Sequence, residues 1–293
     1  MAIMLKLFML FGIGYLLRQR KIDLRELLKN PKETIKNSGG FNQFKNQGGE
    51  DDYDAALTSD TNEAADFGLR LMSEDDAVIV LEILTKDFPF IENWSQSDRD
   101  KLIWRTCHIR RMKEFHGHEG LEVTMIHEVI ISATLARLTM GFANNYTLPK
   151  FPLIEIYPRE FYSKLLKQHV KGLTFGHGRL FLSWAHFEEG HKDLTDKIHV
   201  GLHEFAHALM LQFNQFRHIR IWRHWLSEAH PIMKSISTSG NHFFRSYGAT
   251  NIHEFWAVSV ETFFEQTEEF KAKYPRLFFC TCRMLNQWPL GRH

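Results

Sequence analysis

Cysteine is scarce in this chain. Its 293 residues hold three, Cys107, Cys280 and Cys282. An odd number, two of them one residue apart, argues against a disulfide framework and fits a reducing compartment. A C-x-C pair without a second pair is weak as a metal site, and Cys280 and Cys282 read as ordinary helix residues. An excess of one charge is lacking as well. The 36 basic and 35 acidic residues leave a net charge of +1, without the electrostatic footprint of a nucleic-acid binder. Apolar residues, by contrast, are plentiful. The chain is 44% hydrophobic and 13% aromatic, with 25 phenylalanines, enough to bury a large core. Its length is long for one domain and short for two.

The N-terminus runs apolar from Met1 to Leu17 with Lys6 tolerated, and Leu7–Leu17 is uninterrupted. A spanning helix needs about 17–25 residues. No small-x-small cleavage site follows, only Arg18, Arg20 and Lys21, and a basic C-terminal flank keeps the remainder on the cytoplasmic side. Residues 1–21 are therefore expected to form an uncleaved membrane anchor, with a cytoplasmic domain tethered behind it. Residues 22–72 are expected to form a flexible linker. There Gly39-Gly40 and Gly48-Gly49 flank a polar stretch that leads into Glu50, Asp51, Asp52 and Asp54, with few large apolar residues and no period.

The folded domain is expected over 73–293. Ser73-Glu74-Asp75-Asp76 reads as a cap and acidic first turn leading into Val80, Leu81 and Leu84. Ser97-Asp98-Arg99-Asp100 starts a second helix, and 123–138 forms a third. Within the third, His127-Glu128 is no metal motif, because Ile131 stands in the second ligand's place. His116 and His118, in FHGHEG, have a surface turn's composition. Leu153–Tyr157 and Arg179–Trp184 read as strands, with irregular chain or a short helix over 161–170. Beyond Thr195, Ile198, Leu202, Phe205 and Leu209 repeat at helical spacing and bury one face of the next helix.

That helix carries Leu202–Met210, LHEFAHALM. His203, Glu204 and His207 form H-E-x-x-H. Positions i and i+4 lie one above the other on a helix, so both imidazoles reach one ion and Glu204 sits beside the open position. This is the zinc-metallopeptidase signature, with the glutamate as general base. The longer form with G-x-x-H fails at Met210 and Phe213, so a third ligand comes from further on. Two glutamates compete, Glu228 in SEAHP and Glu254 at a helix start capped by Asn251. His199 lies one turn before His203, but a fourth protein ligand would close the position water needs. His253 points elsewhere, toward polar surface or the cleft rim. Glu261 is a candidate to hydrogen-bond a ligating histidine.

Over about Thr85–Leu290 the sequence resembles the zinc metallopeptidases related to Mlc titration factor A, the glucose-regulated metallopeptidases. The resemblance rests on IEIYP-x-x-F at Ile154–Phe161, on RLFLSW, on HEFAH, and on a tyrosine seven residues before a glutamate that opens an E-F-x-A-V-x-x-E-x-F-F-like helix. Tyr247, Glu254, Phe255, Ala257, Val258, Glu261, Phe263 and Phe264 match it. It implies one Zn2+ per chain on His203, His207 and Glu254, with Glu204 as base and Tyr247 as hydroxyl donor. Family members commonly carry an aspartate three residues after the second histidine. Here it is Met210, which leaves the partner of one histidine unidentified.

The expected architecture is an α+β, zincin-like domain, mostly helical with a small sheet and without β-α-β alternation. The expected activity is peptide hydrolysis, aminopeptidase-like on short peptides because the resemblance implies it. RLFLSW is expected to be an edge strand to which a peptide adds. The competing expectation is a regulatory protein that sequesters a transcriptional repressor. No nucleic-acid partner is expected.

Overall fold

The computed structural model describes residues 74–193, 196–213, 220–238 and 242–289. The anchor and linker expected over 1–21 and 22–72 lie outside them. Among the described residues no helix is long and apolar enough to cross a membrane.

Helix α1 (Glu74–Asp87) leads through a 3-10 turn (Pro89–Asn93) to α2 (Gln96–Arg111). The cap of α2 is Ser95 rather than Ser97, because the Ser95 hydroxyl accepts the Asp98 N–H at 3.1 Å. Strand β1 (Glu114–Gly117) follows, then α3 (Met125–Leu138) and β2 (Leu153–Tyr157). The first half of FHGHEG is thus strand and Glu119-Gly120 are the turn: Glu114–Gly117 pairs in parallel with Leu153–Ile156, and His118 N–H continues the ladder to Ile156 O at 2.9 Å. β1, α3 and β2 make one β-α-β crossover, which the sequence pattern did not suggest.

Residues 161–170 are a hairpin rather than irregular chain, β3 (Phe161–Ser163) against β4 (Gln168–Val170). β5 (Gly172–Phe175) and β6 (Arg179–Ser183) complete the main sheet, and Trp184 already belongs to the next helix. Sheet order is β1-β2-β6-β5, parallel except for β5, which runs antiparallel to β6. RLFLSW is therefore an inner strand, and the edges are β1 and β5.

The helices after the sheet are α4 (Trp184–Lys192), α5 (Val200–Phe213), α6 (Arg220–Thr238), a 3-10 turn (Ser246–Ala249), α7 (Ile252–Glu265), α8 (Thr267–Lys273) and α9 (Pro275–Leu285). α5 starts after Ile198, which is exposed and outside the apolar stripe; Thr195 is not among the described residues. Leu202, Phe205, Ala206, Ala208 and Leu209 of α5 are fully buried, as are Phe255, Trp256, Ala257, Val258, Val260 and Phe263 of α7. Burying such side chains is worth about 1.5–3 kcal/mol each for the larger ones, so this seam fixes α5 against α7. Trp256 Nε1 also donates to Ala206 O at 2.9 Å, in the middle of HEFAH. Cys280 and Cys282 are buried, free helix residues of α9. The domain is α+β, mostly helical with a small sheet.

Candidate metal centre

The α5–α7 seam brings three side chains to one point. On α5, helical spacing directs His203 and His207 to one side. On α7, the Asn251 side chain caps the helix by accepting the His253 and Glu254 N–H groups at 2.9 and 3.0 Å. That cap fixes the first turn and aims Glu254 across the seam. His203 Nε2 lies 3.0 Å from Glu254 Oε2 and 3.1 Å from His207 Nε2, and the third edge, His207 Nε2 to Glu254 Oε2, is 3.3 Å. Ligands about 2.0–2.1 Å from a tetrahedral zinc stand roughly 3.3–3.4 Å apart, so the triangle fits such an ion. Among the described residues it is the one His/Cys/Asp/Glu group of this kind. Glu228 lies elsewhere, within 3.9 Å of His224 and Arg276.

The electrostatics also call for a cation. Burial works against charge on His203, but the Glu261 carboxylate and hydrogen bonds to Glu254 and Glu261 outweigh it and raise the imidazole to about 10. Burial would raise Glu254, yet hydrogen bonds from His203 and His207 hold it far below the ordinary carboxylate range.

Behind His203, Glu261 is almost wholly buried and its Oε2 lies 3.1 Å from His203 Nδ1. Its other oxygen accepts the His199 N–H at 2.9 Å, and Arg245 pairs with Oε2. A carboxylate so placed orients a ligand and raises its basicity. Met210 is buried with its sulfur 2.7 Å from His253 Nδ1, so His253 packs beside the seam. His199 precedes α5, is buried, and takes the Leu202 N–H at Nδ1 at 3.4 Å. Burial, helped by His191 and Arg137, lowers it to about 3. It does not join the cluster.

Glu204 is buried against the edge strand. Thr174 Oγ1 donates to it at 2.7 Å from Oε2 and 2.8 Å from its backbone carbonyl. The backbone at Gly172 comes so close that a Cβ there would lie 2.7 Å from Glu204 Cγ and Oε1. Tyr247, half exposed on its 3-10 turn, has its ring 5.9 Å from that of His203. Burial and the charges of Glu254 and Glu204 raise its hydroxyl above the ordinary value, so it keeps its proton at neutral pH. Gly172, Thr174 and Arg245 carry no signal in the sequence. Only the sheet order and the turn before α7 bring them to the centre.

A helix-borne H-E-x-x-H whose imidazoles meet a carboxylate from a second helix defines a centre of the metallopeptidase class. The comparison with known families makes the assignment specific: the model of the glucose-regulated metallo-peptidase M90 family matches residues 72–284, and the chain belongs to that family. It is 24% identical over 218 residues to an uncharacterized protein of Synechocystis, covering 67% of this chain and 79% of that one. It is 24% identical over 227 residues to Mlc titration factor A of Klebsiella pneumoniae, covering 70% and 84%. For Mlc titration factor A of Yersinia pestis the identity is 23% over 229 residues, with the same coverage. The family implies a bound metal.

Proposed function

We propose that the chain is a zinc-dependent peptidase. The observation that carries this reading is the triangle of His203, His207 and Glu254, closed to 3.0–3.3 Å beside a buried glutamate of the same helix. His203, His207 and Glu254 would hold the ion. Zinc, when bound, supplies a Lewis acid for the scissile carbonyl and for the attacking water. Glu204 takes a proton from that water and passes it to the leaving amine. Thr174 keeps the Glu204 carboxylate turned toward its task. The Tyr247 hydroxyl donates to the oxyanion of the tetrahedral intermediate, a contact typically worth about 10²–10³ in rate.

An extended peptide would add to β5 rather than to RLFLSW, since β5 is the edge strand whose Thr174 touches Glu204. Short peptides with a free N-terminus are the substrates the resemblance favours. Under the sequence expectation of an N-terminal anchor, the catalytic domain works at the cytoplasmic face of a membrane. The name Mlc titration factor A of two relatives supports a second reading, in which the domain sequesters a transcriptional repressor. Glu204→Gln separates the two. On the peptidase reading it keeps one zinc per chain and loses cleavage of a peptide library. Absence of hydrolysis by wild type, or unchanged hydrolysis in the variant, favours the binding role.

A further inference from the structure

Exposed large apolar side chains concentrate at one place among the described residues. In the β3–β4 hairpin, Tyr162, Leu165 and Leu166 are 56%, 66% and 46% exposed. The hairpin pairs only with itself and joins no other strand of the described residues. Its tip reads Lys164-Leu165-Leu166-Lys167, where turns ordinarily carry Gly, Asn, Asp, Ser or Pro.

The tip is nonetheless held in shape. Ser163 is buried, and its hydroxyl accepts the Leu166 N–H at 3.2 Å. Lys167 takes a φ of 54°, a left-handed conformation that costs a lysine energy. Across the strands, Tyr162 and His169 meet edge to face at 5.6 Å. The two leucines are therefore presented outward by a built turn. Within residues 159–171, Arg159, Lys164, Lys167 and Lys171 are exposed, and Glu160 is the one acid of that stretch.

Three side chains on a convex tip fall well short of the roughly 800 Å² per partner that a stable protein interface buries. A leucine pair between lysines suits a bilayer surface instead. The leucines enter the headgroup–acyl boundary, the lysine stems lie along it, and their ammonium groups meet anionic headgroups.

We propose that the β3–β4 hairpin docks on an anionic lipid surface. A tip of this size is a weak anchor alone, and stable attachment takes two signals. The sequence supplies a second in the apolar run to Leu17 with Arg18, Arg20 and Lys21. The hairpin also sits next to the centre in the chain: Lys171 alone separates β4 from Gly172, which lies against Glu204. Docking would set the cleft at the membrane and restrict which peptides reach it.

The test uses the full chain carrying Leu165→Cys labelled with an environment-sensitive dye; the three native cysteines are buried. Vesicles are made of phosphatidylcholine alone or mixed with phosphatidylserine. The dye emission should shift to the blue only on the mixed vesicles, and added salt should reverse the shift. Leu165→Asp with Leu166→Asp should weaken binding to the mixed vesicles at least about tenfold, with peptide cleavage in lipid-free solution unchanged. An unshifted dye on vesicles that still capture the protein overturns the proposal, as do equal shifts on both vesicle types. A raised KM for peptides in lipid-free solution with undiminished vesicle binding overturns it too, and makes the tip a peptide-binding element.

Discussion

Replacing Gly172 by alanine adds one methyl group at the point where the edge strand β5 meets Glu204, the proposed general base. The new carbon would lie 2.7 Å from Glu204 Cγ and Oε1 and 2.8 Å from Val200 Cγ2. Carbon pairs rest at about 3.5–4.0 Å, so Glu204 and β5 must part by roughly 1 Å. A misplacement of that size costs about 10²-fold in rate, and complete loss of a general base costs about 10²–10⁴. The expected result is a fall in kcat/KM of about 100-fold. Zinc content should stay at one per chain, since the atoms nearest the new carbon belong to Glu204 and Val200 and not to the three proposed ligands. Overpacking of this kind costs about 1–3 kcal/mol, so thermal unfolding is read beside the activity to separate lost folding from a displaced Glu204. The assay is cleavage of a fluorogenic peptide set beside zinc quantification and thermal unfolding of the same preparations. Thr174→Val, which removes the hydroxyl and leaves the bulk, should lower kcat in the same direction by a smaller factor. Activity of Gly172→Ala within about threefold of wild type would refute a role in cleavage for the placement of Glu204 against β5.

Three further outcomes are expected. Glu254→Ala loses zinc on dialysis whereas Glu228→Ala retains it, and loss only in the second would transfer the third ligand to Glu228. Glu261→Gln weakens zinc about 10–100-fold, or about 1.4–2.7 kcal/mol, as read by competition with a chromophoric chelator; unchanged affinity would make Glu261 a packing residue. Glu265, buried beside Glu261, gives a pH dependence of stability. Burial, then the Glu261 charge, raises its carboxyl from 4.5 to about 8, with Arg137 offsetting part. The unfolded chain releases this proton above pH 4.5 while the folded one holds it to about 8, so stability falls as pH rises through that window and levels off above it. Glu265→Gln should match wild type in Tm at pH 4 and exceed it by about 5 °C at pH 8; equal Tm at both values would place the carboxyl in solvent.

Much of the centre was legible because its spacing is local. H-E-x-x-H needs only the turn of one helix, and Asn251 with Glu254 needs only the rule for caps. Glu254 stood level with Glu228 until the family pattern separated them. The distance across the α5–α7 seam is a property of packing, which helical periodicity does not contain. The edge strand was misplaced for a related reason. RLFLSW has the buried composition of an inner strand, whereas Gly172-Leu173-Thr174-Phe175 is short and half-buried, with little to mark it. FHGHEG hid β1 in the same way, because its histidines and glycines lack strand propensity and are held by the ladder to β2. Met210 left the partner of one histidine unidentified. Glu261 of α7 was named as a candidate partner from its place in the family pattern, and packing sets it against His203, 58 residues away.

The central claim is a metal ion on His203, His207 and Glu254. An anomalous difference map at the zinc edge, from crystals of the zinc-loaded protein, tests it most directly. The predicted result is a single strong peak about 2.0–2.2 Å from His203 Nε2, His207 Nε2 and one Glu254 oxygen. A zinc-loaded crystal whose peak lies away from that triangle, or is bound through Glu228, would contradict it.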